Sequence, residues 1–293
     1  MNQIDLIKKY NVRPVKHLGQ NFLIDSNVMR RIVDYLDPVR EETIIEIGPG
    51  LGALTRLILE RGALVVGIER DPKLISALEN ELAGFGHQLE LVREDILKFS
   101  FQKKFKEKKV RVIGNLPYYL TSPLIFKLIE DRKSIDSAIL MIQREVADRL
   151  LATPGSSQYG RITVGVRFFA DVERVMNVSR RSFMPSPQIE STVILLKFRP
   201  ETDIKKTGID PHFFLEVVKS GFSQRRKNIL NCLDHAGLVQ MKKNELSAFL
   251  AEIGIDPGKR AEELFLKDFI NLCRKIQEVI ALQNKRISQK HTR

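Results

Sequence analysis

The segment Asn115-Leu116-Pro117-Tyr118 combines residue types that can hold a planar amino group. The Asn115 side-chain oxygen and the Leu116 carbonyl can each accept a hydrogen bond from an NH2 group, while Pro117 fixes the turn. Tyr118 offers a flat face for stacking. An aromatic amine delocalises its lone pair into the ring, so acceptors that favour a pyramidal nitrogen would assist attack on an electrophile. The segment therefore predicts chemistry on a planar amine. A strand-ending turn in which Tyr118 only packs is the alternative.

A glycine turn, Glu46-Ile47-Gly48-Pro49-Gly50-Leu51-Gly52, joins a predicted strand to a helical pattern. Gly48 and Gly50 would let a ligand approach the backbone closely. Because Gly48, Gly50 and Ala53 also satisfy the dinucleotide-binding fingerprint, a hydride-transfer enzyme is an alternative at this point. The turn has no Gly-Lys-Ser/Thr step, which excludes a phosphate-binding P-loop.

Two acidic residues follow the next two predicted strands. Glu69 lies about twenty positions after the first glycine, where a carboxylate can accept hydrogen bonds from both hydroxyls of a ribose. Asp71, directly before Pro72, fits a helix cap better. Asp95 can accept a hydrogen bond from the amino group of an adenine, or it is an ordinary loop acid. Glu69 and Asp95 together predict a ligand that contains a nucleoside.

These residues need elements that bring them to one edge of a sheet. From Thr43, short β-branched runs alternate with helical patterns, which predicts a mainly parallel sheet with helices on both faces. Sheets of this kind bind ligands outside the carboxyl ends of their strands. The predicted parallel strands are TIIEI, LVVGI, LELVR, VRVIG and SAILMIQ. The later runs, which we expect to finish the sheet by antiparallel pairing, are RITVGVRFF, VERVMNVS and STVILLKF.

The polar stretch RPETDIKKTGIDP predicts a domain boundary near residues 199 to 211. Residues 1–200 are expected to form the catalytic domain. Residues 201–283 contain apolar positions at helical spacing, which predicts a small all-helical domain. The basic residues 284–293 predict a disordered tail.

The composition favours an anionic partner. The chain has 48 Lys and Arg against 36 Asp and Glu, a formal net charge of +12. Each phosphate neutralised by such a surface releases counterions, although a basic surface that binds nothing is the alternative. Cys232 and Cys273 lie far apart without metal-ligand spacing, so no disulfide framework and no metal site are expected. No apolar run is long enough for a membrane span and no signal peptide is visible, which predicts a cytoplasmic protein.

The chain resembles a known family in several separate segments. The form EIGPGLGALT resembles class I methyltransferases that bind S-adenosylmethionine, and Asn115–Tyr118 resembles the Asn/Asp-Pro-Pro-Tyr/Phe motif of amino-group methyltransferases. Further segments resemble the ribosomal RNA small-subunit adenine dimethyltransferases, the kasugamycin-sensitivity group. These segments are KHLGQNFLID at 16–25, QREVADRL at 143–150, SSQYG at 156–160, FMPSP at 183–187 and FSQRRK at 222–227. His17 and Tyr119-Leu120 depart from the family pattern, which leaves fine substrate contacts open.

The resemblance implies a fold and a site. The implied fold is α/β, with a class I (Rossmann-like) S-adenosylmethionine-dependent methyltransferase sheet and a small all-helical C-terminal domain. The implied cofactor residues, to which the glycine turn adds Gly50, are Asn21, Leu23, Gly48, Glu69, Asp95 and Asn115. The implied catalytic residues are Asn115, Leu116, Pro117 and Tyr118, with Phe183 as the opposite wall of the target-base pocket. For Phe183, a buried loop aromatic is the alternative.

The implied reaction is dimethylation of N6 on two adjacent adenosines in the loop of the 3′-terminal hairpin of 16S rRNA. The implied partner is the 30S subunit during its biogenesis. The protein is expected to act as a monomer, to need no metal ion and not to bind a membrane. Arg225-Arg226-Lys227, expected at a helix start, would suit RNA phosphates, or it is a solvated helix face. A 23S rRNA adenine methyltransferase of the macrolide-resistance type and a non-catalytic ribosome-assembly factor are the alternatives.

Overall fold

The structure, a computed structural model, describes residues 2–12, 20–106 and 108–291, with side chains as far as residue 284. The chain divides into two units, one comprising Met1–Ala147 and Ala170–Phe198, the other Asp148–Phe169 and Arg199–Arg293. The division after Phe198 falls beside the predicted boundary at residue 200. The predicted domain assignment of residues 148–169 is corrected: the sequence predicted them in the first domain, and the structure places them in the second unit.

All the described strands lie in the first unit. They are β1 (Phe22–Leu23), β2 (Thr43–Ile47), β3 (Leu64–Glu69), β4 (Leu89–Arg93), β5 (Val110–Asn115), β6 (Ile135–Gln143), β7 (Ala170–Val178), β8 (Phe183–Met184) and β9 (Ser191–Phe198). Seven of them form a sheet in the order β4-β3-β2-β5-β6-β9-β7, and β1 pairs with β8. The first five of the seven are parallel, and β9 is antiparallel to both β6 and β7. The predicted parallel sheet with an antiparallel finish is confirmed.

The central strands are continuous apolar runs. In β2, Ile44, Ile45 and Ile47 are all buried, as expected for a parallel strand covered on both faces. Ile47 pairs with Ile68 of β3 on one side and with Gly114 of β5 on the other. The carboxyl ends of three neighbouring strands therefore meet at one level of the sheet.

Helices connect these strands. They are α1 (Gln3–Lys9), α2 (Ser26–Leu36), α3 (Thr55–Glu60), α4 (Pro72–Glu81), α5 (Phe101–Phe105) and α6 (Thr121–Glu130). A seventh, α7 (Arg144–Leu151), begins in the first unit and ends in the second. The cap predicted for Asp71 is confirmed, because its carboxylate accepts a hydrogen bond from the Lys73 amide at 2.9 Å and Pro72 opens α4.

The second unit is helical in its described part, as predicted for the C-terminal region. Its helices are α8 (Arg161–Phe169), α9 (Glu201–Lys206), α10 (Pro211–Gly221), α11 (Ile229–Ala236), α12 (Lys243–Glu252) and α13 (Leu266–His291). The short helix α9 lies inside the polar stretch expected to be a linker. Arg225-Arg226-Lys227 lies before the Asn228 cap of α11 and not at the helix start, because Asn228 provides the stronger start signal.

The run RITVGVRFF is a helix, α8, and the prediction of a strand was wrong. Its β-branched residues favour a strand, but this preference amounts to only tenths of a kcal/mol per residue and tertiary context overrides it. Seven of the nine residues are buried, and Phe168 stacks on Phe214 of α10 with ring centroids 3.9 Å apart. Burial on nearly every side explains why the apolar pattern has no strand alternation.

The tail is a second correction of local structure. The sequence predicted disorder from residue 284, whereas the backbone of α13 is helical to His291. Residues 284–291 contain neither Gly nor Pro. Adding a residue to an existing helix gains a hydrogen bond without a new nucleation cost, so the helix continues.

Three further observations concern membrane spans, cysteines and metal sites. In the part of the chain that the structure describes, no helix is long and apolar enough to cross a membrane. Cys232 and Cys273 are both buried and unbonded to each other. The described residues also contain no cluster of three or more His, Cys, Asp or Glu side chains that could hold a metal ion.

Replacing Phe214 by Ala should strongly destabilise the second unit. The side chain is fully buried and stacks on Phe168, so truncation leaves a cavity that costs about 3–5 kcal/mol. Phe265→Ala is the matched control, because Phe265 is exposed and should change stability by less than about 0.5 kcal/mol. Urea unfolding of both variants measures the difference, and equal losses would contradict the packing described for α8 and α10.

Candidate active site

A cavity of about 450 Å³ lies at the carboxyl edge of the sheet, within the first unit. Its walls include every residue that the sequence assigned to the site: Asn21, Leu23, Gly48, Gly50, Glu69, Asp95, Asn115, Leu116, Pro117, Tyr118 and Phe183. The structure therefore brings the predicted residues together from six separate stretches of chain. Residues 16–19 of the predicted opening motif lie outside the described residues.

The glycine turn after β2 adopts a backbone that requires glycine. Gly48 and Gly50 have φ angles of 65° and 62°, in the left-handed region that other residues rarely adopt. A Cβ atom added at Gly48 would meet nothing within 4 Å and would point into open space. The Gly48 amide donates to the Ile68 carbonyl at 3.0 Å, which ties the turn to the end of β3. The missing side chain leaves room for a ligand against the backbone.

Glu69, at the end of β3, is held by backbone amides. Its Oε1 accepts hydrogen bonds from the amides of Arg70 and Asp71 at 2.8 and 2.9 Å, and Oε2 accepts a longer one from Gly50 at 3.4 Å. Burial raises the pKa of Glu69, and these three amides partly oppose that rise. Oε1 has both lone pairs engaged, so Oε2 is the oxygen that can accept hydrogen bonds from a ligand.

Asp95 lies beyond the end of β4. Its Oδ1 accepts a hydrogen bond from the Leu97 amide at 3.0 Å, which orients the carboxylate. Oδ2 is 3.9 Å from Nη1 of Arg70, whose side chain is 64% exposed. An ion pair this long and exposed is weak, so Asp95 keeps acceptor capacity toward the cavity.

Asn115 ends β5 with its amide oriented by the backbone. Its Nδ2 donates to the Asn21 carbonyl at 3.0 Å, which turns Oδ1 away from Asn21. The Leu116 amide donates to the Met141 carbonyl at 3.1 Å, while the Leu116 side chain is buried. The two contacts orient the Asn115 Oδ1 and hold the Asn115–Leu116 peptide, directly before the Leu116 carbonyl, so both oxygens are available as amine acceptors.

Tyr118 and Phe183 supply the aromatic surfaces of the cavity. The Tyr118 hydroxyl lies 3.2 Å from Oγ of Ser191 on β9, and burial raises the pKa of Tyr118. Phe183 is buried in β8 and pairs with Leu23 of β1. Leu23 and Phe183 are cross-strand neighbours. The small sheet of β1 and β8 therefore contributes both to the predicted cofactor site, through Leu23, and to the predicted target-base pocket, through Phe183.

Asp25 anchors that small sheet. Its carboxylate caps α2 by accepting from the amides of Asn27 and Val28 at 3.0 and 3.2 Å, and also accepts from the Ser182 hydroxyl at 3.1 Å. Burial disfavours its charged form, but hydrogen bonds from Val28, Ser182 and Asn27 outweigh it and lower the pKa of Asp25. The chain before Phe183 is thus fixed to the helix that follows β1.

Glu46 is a cavity residue that the sequence analysis did not assign. It lies in the apolar run TIIEI, is only 3% exposed, and lines the cavity. The Thr55 hydroxyl donates to its Oε2 at 2.6 Å. Burial raises its pKa to about 7, the hydrogen bond from Thr55 opposes the rise, and the charge of Glu69 adds to it. A charged residue inside an apolar strand was the available signal.

Two other residues were also missed. Gln3 of α1 lines the cavity and donates to the Leu51 carbonyl at 3.4 Å, while its buried Oε1 has no hydrogen-bond partner in the described chain. Ser191, which contacts Tyr118, is 73 residues away in sequence. Neither Gln3 nor Ser191 lies in a pattern that indicates a site, because their roles depend on distant segments.

Comparison with known proteins identifies the family. A family model for ribosomal RNA adenine dimethylase matches residues 12–278, most of the chain. The chain belongs to the ribosomal RNA adenine dimethylase family. Relatives of the family from Bacillus cereus strain B4264 and Bacillus anthracis strain CDC 684 are each 40% identical over 274 residues. The matches cover 92% of this chain and 93% of each relative, and both relatives are named ribosomal RNA small subunit methyltransferase A.

Solved structures show the same fold. A dimethyladenosine transferase from Plasmodium falciparum is 28% identical and superposes with a TM-score of 0.75, covering 88% of this chain and 98% of that one. The 23S rRNA methyltransferase ErmE superposes with a TM-score of 0.65 at 24% identity, covering 88% of this chain and all of that one. The fold is the Rossmann-like methyltransferase fold, as predicted.

Glu46→Gln should stabilise the ligand-free protein at alkaline pH. In the unfolded chain the carboxyl has its ordinary pKa of 4.5, and in the folded chain the pKa is about 7. As pH rises from 4.5 through 7, the unfolded state loses the proton first, so the wild type loses stability that the neutral glutamine retains. We expect a gain on the order of 2–3 kcal/mol at pH 8 and little difference at pH 4.5.

Urea unfolding at several pH values measures this effect. Glu79→Gln, at an exposed position of α4, is the matched control and should follow the wild-type profile. Parallel profiles for the wild type and Glu46→Gln would show that the Glu46 carboxyl has no raised pKa.

Proposed function

We propose that this protein transfers methyl groups from S-adenosylmethionine to N6 of two adjacent adenosines in the 3′-terminal hairpin loop of 16S rRNA. Membership of the family establishes dimethylation of adenine in ribosomal RNA. The observation that supports the rest of the proposal is that one cavity holds two kinds of residue. Gly48 and Glu69 suit a nucleoside, and Asn115 and Tyr118 suit a planar amine. The name of the Bacillus relatives supports the small subunit as the substrate.

The residues that line the cavity support S-adenosylmethionine as the methyl donor. This cofactor supplies an electrophilic methyl group on a positively charged sulfonium. Gly48 leaves open space beside the backbone, and the free acceptor capacity of Glu69 Oε2 suits ribose hydroxyls. Asp95 would accept from the adenine amine, and the Asn21–Leu23 segment would contact the methionine part. Buried carboxyls at the cavity also suit a cationic ligand.

The target adenine would lie between Tyr118 and Phe183. There its N6 amine can donate to Oδ1 of Asn115 and to the Leu116 carbonyl. These acceptors hold the amine in position and favour a pyramidal nitrogen whose lone pair can attack the methyl group. Methylation makes the nitrogen cationic, so its proton leaves readily for water and no general base is needed beforehand. Rotation of the monomethyl product would present the remaining N–H for a second transfer.

Recognition of the RNA would use the second unit and the basic surface. The target base must be splayed out, because a stacked and paired amine cannot reach the cavity. We assign residues 201–283 to rRNA recognition, with Arg225-Arg226-Lys227 on phosphates. All three side chains are exposed, and the Arg225 guanidinium donates to the Ser157 carbonyl at 2.8 Å, which fixes its direction. We place the protein in the cytoplasm, as a monomer on the 30S subunit during biogenesis.

Labelled methyl donor and purified subunits from a strain lacking this protein test the proposal. We expect incorporation into small subunits only, with two methyl groups on each of two adjacent adenosines by mass mapping. Labelling of large subunits instead would favour the macrolide-resistance type of activity. Tight binding to small subunits without methyl transfer would favour an assembly factor.

Tyr118→Ala should slow methyl transfer without losing the cofactor. Removing the stacking face costs about 1–3 kcal/mol, which corresponds to a fall of about 5–150-fold in turnover. Affinity for S-adenosylhomocysteine, measured by calorimetry, should stay within about threefold. Tyr118→Phe is the matched control, because it keeps the ring and loses only the contact with Ser191. A wild-type rate for Tyr118→Ala would remove this residue from the target pocket.

A further inference from the structure

Two buried carboxyls line the same cavity on neighbouring strands. Glu46 of β2 is 3% exposed and Glu69 of β3 is 9% exposed. Their environments differ. Glu69 accepts three backbone amides, which compensate its negative charge. Glu46 instead has hydrogen bonds from the Thr55 hydroxyl and the Thr55 backbone amide.

Glu46 has no cationic partner in the described chain. No Lys, Arg or His nitrogen among the described residues lies within 4 Å of its carboxylate. From β5, its register partner Ile113 and the cavity residue Asn115 carry no charge. From α3, the group that contacts the Glu46 carboxyl is the uncharged Thr55. From β3, the group that faces it is the acidic Glu69.

The described residues of the loops around the cavity do not supply a countercharge to Glu46. Asp71, Glu94 and Asp95 add negative groups to its walls. The one basic side chain among the described cavity residues is Arg70, which is largely exposed and faces Asp95. Burial without a countercharge is the reason that the pKa of Glu46 rises to about 7.

We infer that Glu46 discriminates between charged and neutral occupants of the cavity: it holds a proton in the ligand-free protein and releases it to solvent when a cation enters. The inference rests on the proposed function, in which the methyl donor is a sulfonium cation and its product is a neutral thioether. The sulfonium then meets an ionised Glu46, and the thioether leaves Glu46 protonated. Glu46 is thus a positioning and specificity residue that favours donor over spent product.

This difference matters because the reaction is repeated. Each methyl transfer converts the sulfonium of the occupant into an uncharged thioether and so removes the positive charge that kept Glu46 ionised. Glu46 takes up a proton again and the attraction for the occupant is lost. The product therefore leaves more readily, and a fresh donor can bind for the next transfer to the same pair of adenosines.

Calorimetry in buffers of different ionisation enthalpy counts the protons released on binding. At pH 6.5, binding of S-adenosylmethionine should release more protons from the wild type than from Glu46→Gln. We expect the difference to exceed half a proton per bound ligand. S-adenosylhomocysteine should show no such difference. Comparing the two proteins with the same ligand cancels any proton exchanged by the ligand's own amino group. The preference for donor over product should fall about tenfold in Glu46→Gln at pH 8.

Thr55→Val is a second variant that keeps Glu46. It removes the hydroxyl that stabilises the ionised carboxylate, so donor affinity should fall more than product affinity. Glu79→Gln, exposed on α4, is the control and should match the wild type in proton release. Far-UV circular dichroism and thermal unfolding of each variant establish that the fold is kept.

The outcomes separate the two proposals. If the wild type binds neither ligand, the proposed cofactor is wrong and the role of Glu46 is lost with it. If the wild type binds both, but Glu46→Gln and Thr55→Val leave proton release and the donor preference unchanged, the inference about Glu46 is overturned while the proposed function stands.

Discussion

Parallel hydrogen bonding of β2 with β3 and β5 is the constraint on which the site depends. Ile47 pairs with Ile68 and Gly114, so the glycine turn, Glu69 and Asn115 leave the sheet side by side. A shift of one residue in this register would turn each strand's side chains to the opposite face. The buried isoleucines of β2 oppose such a shift because both of its faces are covered. The core that stabilises the sheet therefore also sets the spacing of the site.

The charges of the protein are divided between its surface and its cavity. The chain as a whole carries a net charge of +12, which suits a polyanionic RNA. The cavity instead collects Glu46, Glu69 and Asp95, which suits a cationic cofactor. In the proposed function the two ligands have opposite charge and bind at the same time, so each would be attracted by a different part of the molecule. Burial makes the few carboxyls in the cavity effective despite the basic surface, because a low-dielectric environment strengthens their interactions.

Much of the fold and of the cavity could be predicted from the sequence, and the reason is periodicity. Apolar runs such as TIIEI and VRVIG report burial on both faces, and residues directly after them must lie at the sheet edge. Glu69, Asp95 and Asn115 were found in this way, and all three line the cavity. The same reasoning failed for RITVGVRFF, since β-branched composition predicts a strand only when no helical neighbours surround it. Phe214 of α10, which stacks on Phe168 of the run, belongs to that helical environment, and no local pattern reveals it.

The sequence by itself determined the order of the five parallel strands along the chain, the glycine turn and the chemical types at the site. Only the tertiary structure decided which distant residues complete it. It paired Leu23 with Phe183, placed Ser191 beside the Tyr118 hydroxyl, and buried Glu46 with no countercharge from the described residues. These features depend on contacts between segments far apart in the chain and on the exclusion of water. Residue types and spacing specify which groups are available, whereas burial and partners set their orientation and their protonation.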